Sequence, residues 1–451
     1  MLNFSRGSIN FFLFSLLILF AASCGAPQTL RTVFKNQTPY EAYVAKIKDA
    51  KLDQTALGQD WIRAGEKALQ DSITVTLPFK ETGYFSADKP RALGYKIDAK
   101  RGERIVVNLE VKARQAMLVF MDMFEAVGNP KHLAFADTVS NTLVYEVEDD
   151  VQHVLRVQPE LLRSGQYTLT IKSEPTLAFP VAGKTSRNIA SIWGDPRDNG
   201  ARLHEGVDVF AKRGTPVIAS SPGVISRVQT TPRGGKVVWL ADRDRNQNLY
   251  YAHLDSQAVT AGQRIQVGDT LGFVGNTGNA RGTAPHLHFG IYRYGQGPTN
   301  PYPYLHDSNK PIPAIQVDAE KLGNWVRVSS KAANVRQQPS TKSNVYRQLT
   351  QHTPLLVTGA YASWYRVALP NGSEAYIANN LVEATTKPIK YEKLASTTDL
   401  LDGASTLAPA KDSLAAGSKI AVLGGFNGYT FVKAENGELG WVQDNVVLGV
   451  R

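Results

Sequence analysis

His204-Glu205-Gly206-Val207-Asp208 is followed, after an isolated His253, by His286-Leu287-His288, in a chain of 451 residues that holds only eight histidines. A catalytic zinc site takes three protein ligands from His, Asp, Glu or Cys and leaves its fourth position to water. His204, Asp208 and one of the two later histidines meet that count. On an extended strand, side chains at i, i+2 and i+4 share a face. His204 would then point the same way as Asp208, and His286 the same way as His288. Gly206 with Val207, Val209 and Phe210 favours strand over helix, so both segments are read as β. Glu205 would face away, and no second histidine follows His204 at i+4, so Glu205 is given a structural role rather than that of a His-Glu-x-x-His base. Structural zinc sites are commonly closed four-ligand clusters rich in cysteine. The single cysteine here, Cys24, argues against one. His132, His153, His306 and His352 are read as surface or satisfied core residues.

The order of further motifs adds a resemblance. Trp193-Gly194-Asp195-Pro196-Arg197, His204-x-x-x-Asp208, Tyr250-Tyr251-Ala252-His253-Leu254, Val274-Gly275-Asn276-Thr277-Gly278 and Pro285-His286-Leu287-His288-Phe289 follow one another between about Asn188 and Tyr304. This set resembles the LytM/lysostaphin-type zinc metallopeptidases, which cut peptide bonds in bacterial peptidoglycan. The resemblance implies an antiparallel β metallopeptidase core and Zn2+ as cofactor. It makes His204, Asp208 and His288 the metal ligands and leaves His253 and His286 off the metal. The family's zinc polarises the scissile carbonyl and lowers the pKa of its water. The two free imidazoles orient that water and stabilise the developing oxyanion, tasks suited to groups that titrate near neutrality.

Residues 1–23 read as an export signal, with Arg6 in a positive leading region and an apolar run from Phe11 to Ala22. That run is shorter than the ~20 residues needed to span a bilayer and suits a signal peptide. Ala21-Ala22-Ser23-Cys24 resembles a bacterial lipoprotein box, with Ala21 where such boxes usually carry Leu. A lone cysteine in an exported chain excludes an internal disulfide. Lipidated Cys24 would tie the protein to a membrane, and several acyl chains give a stable anchor where one alone is marginal. Gly25 after the cysteine, rather than an acid, suggests by analogy an outer-membrane lipoprotein facing the periplasm.

Hydrophobic residues make up 43% and charged residues 20% of the chain, a composition of folded rather than disordered material. The net charge of +10 suits work beside polyanionic polymers. No nucleic-acid module is recognisable, so the cell wall and its peptidoglycan peptides are the expected partner, and no nucleic acid. The length predicts about three domains or more. The expected fold is mostly β and multidomain. A helical segment occupies 24–71, where Thr38-Pro39-Tyr40-Glu41 reads as a capped helix start and Gly58 as a break between two helices. Alternating runs at Ile73-Val75-Leu77, Ile105-Val107-Leu109, Met117-Val119, Leu143-Tyr145-Val147, His153-Leu155-Val157 and Tyr167-Leu169-Ile171 predict a β-sandwich over 72–175. The metallopeptidase domain is expected over 176–305, with hairpins at Gly214 to Val228 and Gly262 to Gly275. A Pro-rich linker follows at 306–322.

The C-terminal part repeats itself. Val357 to Val382 aligns without gaps on Val422 to Val447 at an offset of 65, pairing Gly359 with Gly424, Val367 with Val432, Asn371-Gly372 with Asn436-Gly437 and Asn380 with Asn445. Asn-Gly between short alternating runs is a strong hairpin signal. Two small β-barrels are predicted, at 323–386 and 387–451. The first carries Ala333-Asn334-Val335-Arg336-Gln337-Gln338-Pro339-Ser340, which resembles the opening of bacterial SH3-like domains. The second is a divergent copy. The resemblance implies wall-peptide binding, with Tyr361 and Trp364 as candidate contacts or, alternatively, core residues. Three functions are weighed: a lipid-anchored zinc endopeptidase that hydrolyses peptidoglycan cross-links, a non-catalytic regulator of other wall hydrolases, and a wall-binding adaptor. A regulatory protein partner is left open.

Overall fold

The computed structural model describes residues 37–126 and 130–447, so the expected export signal and Cys24 lie outside the described residues. Thr38 Oγ1 accepts a hydrogen bond from Glu41 N at 3.1 Å, and Glu41 Oε2 accepts one from Thr38 N at 2.9 Å. This reciprocal cap starts helix Pro39–Asp49. The chain turns at Lys51, whose φ is 57°, and becomes helical again over Ala56–Gln70. The break therefore falls before Gly58, which sits in the first turn of the second helix. A Cβ at Gly58 would lie 2.0 Å from Leu52 O, so this glycine permits a close approach rather than ending a helix. Trp61, Gly65 and Ala68 form the buried stripe of that helix at helical spacing. Trp61 Nε1 donates to Pro159 O at 2.8 Å, fixing the helix on the outer face of a sheet. Among the described residues no helix is long and apolar enough to cross a membrane.

That sheet has the spatial order Ile73–Val75, Leu93–Asp98, Gln152–Pro159, Val119–Glu125, Lys131–Phe135. Facing it are Phe79–Phe85, Gly165–Pro175, Glu103–Ala113 and Thr142–Glu146. Phe79, Tyr95, Ile105, Val107, Met121, Leu155 and Leu169 fill the space between. Four of these strands, Phe79–Phe85, Val119–Glu125, Lys131–Phe135 and Gln152–Pro159, do not alternate between buried and exposed positions. In Phe79–Phe85 the reason is that Glu81, Thr82 and Gly83 are buried, so polar residues occupy positions where apolar ones would mark the period.

The central domain is a sheet ordered Ile189–Ser191, Val207–Phe210, His286–Arg293, Gln247–Gln257, Gly235–Asp242, Gly223–Thr231, Arg264–Ile265. The two hairpins expected in it do not form. Pro216–Ile218 pairs with Thr270–Val274, and Gly223–Thr231 pairs with Gly235–Asp242 and Arg264–Ile265. Gly214, Gly262 and Gly268, with φ of 80°, 83° and 88°, turn the chain toward strands distant in sequence instead of folding it back on itself.

The sandwich meets this domain through Arg245, whose Nε and Nη2 bind Glu146 at 3.0 and 2.9 Å. Leu177 N also donates to Tyr304 O at 3.0 Å. Arg245 precedes strand Gln247–Gln257, so this contact lies roughly 20 Å along the strand from His253 at about 3.3 Å per residue. The sandwich thus docks at the end of the sheet remote from the clustered histidines.

Beyond it, strands Pro354–Tyr361, Trp364–Ala368 and Glu374–Ala378 recur as Lys419–Phe426, Tyr429–Lys433 and Leu439–Gln443, each shifted by the repeat offset. The second half of the expected linker is not a free connector. Ile315, Val317 and Leu322 pack on the first barrel's core, and Tyr365 Oη donates to Asp318 O at 3.0 Å. The first barrel is also joined to the sandwich, because Phe79–Phe85 pairs with Pro354–Tyr361, Thr82 opposite Ala360 and Gly83 opposite Gly359. Tyr361 stacks on Phe79 at 5.0 Å, which commits it to packing, while Trp364 stays half-buried.

Candidate active site

Sheet register brings two of the candidate ligands together. Strands Val207–Phe210 and His286–Arg293 are antiparallel, with Asp208 opposite His288 and Phe210 opposite His286. His286 and His288 alternate on one strand, as their spacing predicted. His204 arrives differently. It lies outside the strand that holds Asp208, just after the hairpin that pairs Pro196 with Leu203 and Arg197 with Arg202, and His204 N donates to Asp195 O at 2.9 Å. The expectation that His204 and Asp208 share one strand face is corrected: a turn through Gly206 brings them to the same point. A Cβ at Gly206 would stand 2.6 Å from His288 Cε1 and 2.6 Å from Phe289 O, so no larger residue fits beneath the ring.

Three donor atoms converge. His204 Nε2 lies 2.9 Å from His288 Nδ1 and 3.1 Å from Asp208 Oδ1, and His288 Nδ1 lies 3.0 Å from Asp208 Oδ1. Nitrogen and oxygen ligands at about 2.0–2.1 Å in tetrahedral geometry stand about 3.3 Å apart. The triangle matches that within a few tenths of an ångström, and these three form the group able to hold a metal ion among the described residues. His204 Nδ1 sits 2.9 Å from Ile192 O, which takes its N–H and directs the lone pair of Nε2 into the triangle. Burial acts to raise the pKa of Asp208, but the adjoining His204 and His288 rings outweigh it and hold the carboxyl well below the usual carboxylate range. Burial likewise pushes the His288 imidazole down, which favours the neutral, ligand-competent ring.

His253 reaches the cluster against the strand alternation. Tyr250 and Ala252 face the His288 side, so an unbroken strand would send His253 into the core with Tyr251. Instead its φ is 63°, and the pairing shifts register there. A bulge of this kind re-aims a side chain, and the His253 ring comes to 5.1 Å from His286 and 5.9 Å from His288. His253 Nδ1 donates to Thr277 O at 2.9 Å and His286 Nδ1 to Ala284 O at 2.8 Å, which leaves both Nε2 atoms as acceptors. His286 N also donates to Gly275 O at 3.0 Å. The Val274 to Gly278 segment therefore orients the His253 ring through Thr277 O and holds the backbone of His286 through Gly275 O. Burial first, then the neighbouring His288 and His286, pushes His253 down to about 4.

These elements coincide with a family match: residues 202–301 fit the family described as Peptidase family M23. The chain carries a peptidase family M23 domain. Residues 331–383 fit the Bacterial SH3 domain. Among curated relatives, an L-Ala–D-Glu endopeptidase of Bacillus subtilis is 37% identical over 140 residues, which cover 28% of this chain and 42% of that protein. The DD-carboxypeptidase/endopeptidase Mpg of Neisseria meningitidis is 41% identical over 100 residues, 22% of each chain. The chain thus spans less than half the length of the curated relatives it matches. Among solved structures, the lysostaphin catalytic domain of Staphylococcus simulans is 30% identical, with 26% of this chain and 93% of that one covered and a TM-score of 0.24.

Within the M23 domain, sequence reasoning gave no role to several residues that surround the donors. Trp239, Tyr250 and Tyr292 form an aromatic cluster with ring separations of 4.4 and 5.1 Å from Trp239, and Tyr250 meets His288 edge-on at 5.9 Å. Their alternation along three strands was the available signal. Arg197, part of the Trp193-Gly194-Asp195-Pro196-Arg197 motif, donates from Nη2 to Asp208 Oδ2 at 3.0 Å. Its nearness in sequence to His204 was the only hint.

Proposed function

We propose that this chain is an exported, lipid-anchored zinc endopeptidase that hydrolyses peptide cross-links of bacterial peptidoglycan. The observation that carries the reading is the triangle of His204 Nε2, Asp208 Oδ1 and His288 Nδ1, with edges of 2.9–3.1 Å, beside two imidazoles that keep an unengaged Nε2. In this reading His204, Asp208 and His288 hold the metal, and His253 and His286 stay off it. Zinc bound by three protein ligands polarises a peptide carbonyl and brings the pKa of a water toward neutrality.

The remaining work falls to the chain's own groups. His253 and His286 each present Nε2 as an acceptor, because Nδ1–H is committed to a backbone carbonyl. Such a nitrogen takes a proton from the attacking water and afterwards donates it to the oxyanion or the leaving amine. Burial keeps His253 neutral at neutral pH, the state that can accept. The half-buried rings of Trp239, Tyr250 and Tyr292 offer an apolar wall for the substrate peptide. Cys24 would carry the lipid and hold the enzyme at the outer membrane, facing the periplasm, and the barrels would retain it on the wall.

Support comes from the named endopeptidase activities of the relatives and from a donor set suited to zinc. The test is digestion of purified murein by the full chain with and without chelator, followed by mass analysis. Cross-link peptides should appear, vanish with chelator and return with added zinc. Fragment release indifferent to the chelator, or none at all with zinc present, would end the proposal.

A further inference from the structure

Two of the three donors are gripped from behind by one polar cluster that belongs to neither strand of the metal pair. Arg197 Nη2 bonds to Ser191 Oγ and lies 3.0 Å from Asp208 Oδ2. Ser191 Oγ donates to Asp195 Oδ2 at 2.8 Å and lies 3.2 Å from His204 Nδ1. Ile192 N donates to the same Asp195 oxygen at 2.9 Å, while Ile192 O takes the N–H of His204 at 2.9 Å. The hydroxyl gives its one proton to Asp195 and accepts from Arg197, while the single Nδ1–H of His204 goes to Ile192 O, the nearer acceptor. Asp195 thus accepts from both Ile192 N and Ser191 Oγ and anchors the cluster.

We infer that Arg197 is a positioning residue that keeps Asp208 a one-oxygen ligand. A carboxylate can offer a metal both oxygens. Here Oδ1 faces His204 and His288, and Oδ2 is occupied by the guanidinium. Capturing Oδ2 prevents chelation by the second oxygen and preserves the coordination position that a hydrolytic zinc site leaves to water. A charge-assisted bond of this kind also fixes the carboxylate's rotation, as outer partners of metal ligands generally do. Ser191 is bonded to the same guanidinium and the next residue, Ile192, takes the His204 N–H, so the 191–197 segment sets the orientation of both ligands together. The inference rests on the zinc reading of the site.

The test uses the full chain with Arg197→Met, which keeps the hydrocarbon stem and removes every donor, and Arg197→Lys, which restores one charge. Zinc affinity is read by competition with a chromophoric chelator, and coordination by the visible spectrum of the cobalt-loaded protein. Circular dichroism of the metal-free protein checks the fold, and a collapsed Arg197→Met is replaced by Ser191→Ala, which removes the hydroxyl that ties the Arg197 guanidinium to Asp195. Arg197→Met should bind zinc about 10- to 100-fold more weakly, the usual loss for an outer partner, and its cobalt spectrum should weaken toward that of a five-coordinate ion. Arg197→Lys should recover part of the affinity. Unchanged affinity together with an unchanged cobalt spectrum overturns the inference while leaving the metal site standing. A wild-type protein that takes up no zinc overturns both.

Discussion

Asp208 and His288 face each other across two neighbouring antiparallel strands, with Oδ1 of the one 3.0 Å from Nδ1 of the other. Two of the three donors are therefore held by ladder hydrogen bonds rather than by a loop, and their separation is set by strand spacing. Only His204 depends on a turn. Sites carried on regular elements keep tighter geometry than sites on loops.

Removing the ligands and the free imidazoles should give different losses. His204→Ala and His288→Ala should each lose zinc and hydrolysis together. His286→Ala should keep the metal and slow hydrolysis by about 10²–10⁴-fold, the contribution of a positioned acid–base group. Metal content of the purified variants, measured beside murein digestion, separates the two outcomes. A His286→Ala variant as fast as wild type would remove that ring from the chemistry.

Gly206→Ala should damage the site without touching a ligand. Its Cβ would press on His288 Cε1 and Phe289 O, both at 2.6 Å, and neither the sheet backbone nor a packed ring can yield cheaply. The expected cost is about 1–3 kcal/mol of overpacking and weaker zinc binding. Gly282, on the loop before His286, has nothing within 4 Å of its Cβ position, so Gly282→Ala should be silent in both denaturant unfolding and zinc titration. Equal zinc affinity for the two alanine variants would contradict the close-packing argument.

The parts of this site legible in the sequence were those that obey strand periodicity. His286 and His288, two apart, could be assigned to one face, and the motif order identified the domain around them. His253 came into the site through the motif resemblance alone, because its left-handed φ and the register shift beside it reverse the alternation that the neighbouring tyrosines predict. His204 was credited to the strand of Asp208 and in fact enters from a hairpin. The repeat at offset 65 was readable because each copy keeps its own short-range turn. What joins the first barrel to the sandwich was hidden, since the pairing of Phe79–Phe85 with Pro354–Tyr361 and the ion pair of Glu81 with Arg366 beside it link residues far apart in sequence.

Stability should depend on His153. It is fully buried in the sandwich, and Tyr145 lies at 5.5 Å. Burial lowers its pKa below the ordinary 6.5, so the folded state prefers the neutral ring while the unfolded chain takes up a proton. The stabilisation is complete above about 6.5 and is lost as pH falls through the window below it, by up to about 1.4 kcal/mol per pH unit. Denaturant midpoints measured from pH 7 to 5 should fall more steeply for wild type than for His153→Phe. Parallel slopes would show that this ring does not titrate on unfolding.

The junction of sandwich and first barrel should respond to its charges as a pair. Glu81 and Arg366 are 0% and 4% exposed, and Arg366 Nη2 lies 2.8 Å from Glu81 Oε1. Tyr95 Oη and Tyr167 Oη donate to the same oxygen at 2.9 and 2.7 Å. Breaking a buried ion pair by neutralising one partner strands the other charge in low dielectric and costs about 3–5 kcal/mol, whereas removing both charges together is often nearly neutral. Glu81→Gln alone should therefore destabilise strongly. Adding Arg366→Met should restore most of the loss, because the glutamine still accepts from both tyrosines while no cation remains to be compensated. Because Phe79–Phe85 and Pro354–Tyr361 share one sheet, the single variant should lose sandwich and barrel signals in one transition. Denaturant unfolding of the two single variants and the double variant measures the coupling directly. A double variant as unstable as the sum of the singles would mean that the two charges act independently, and that backbone pairing alone holds the two domains together.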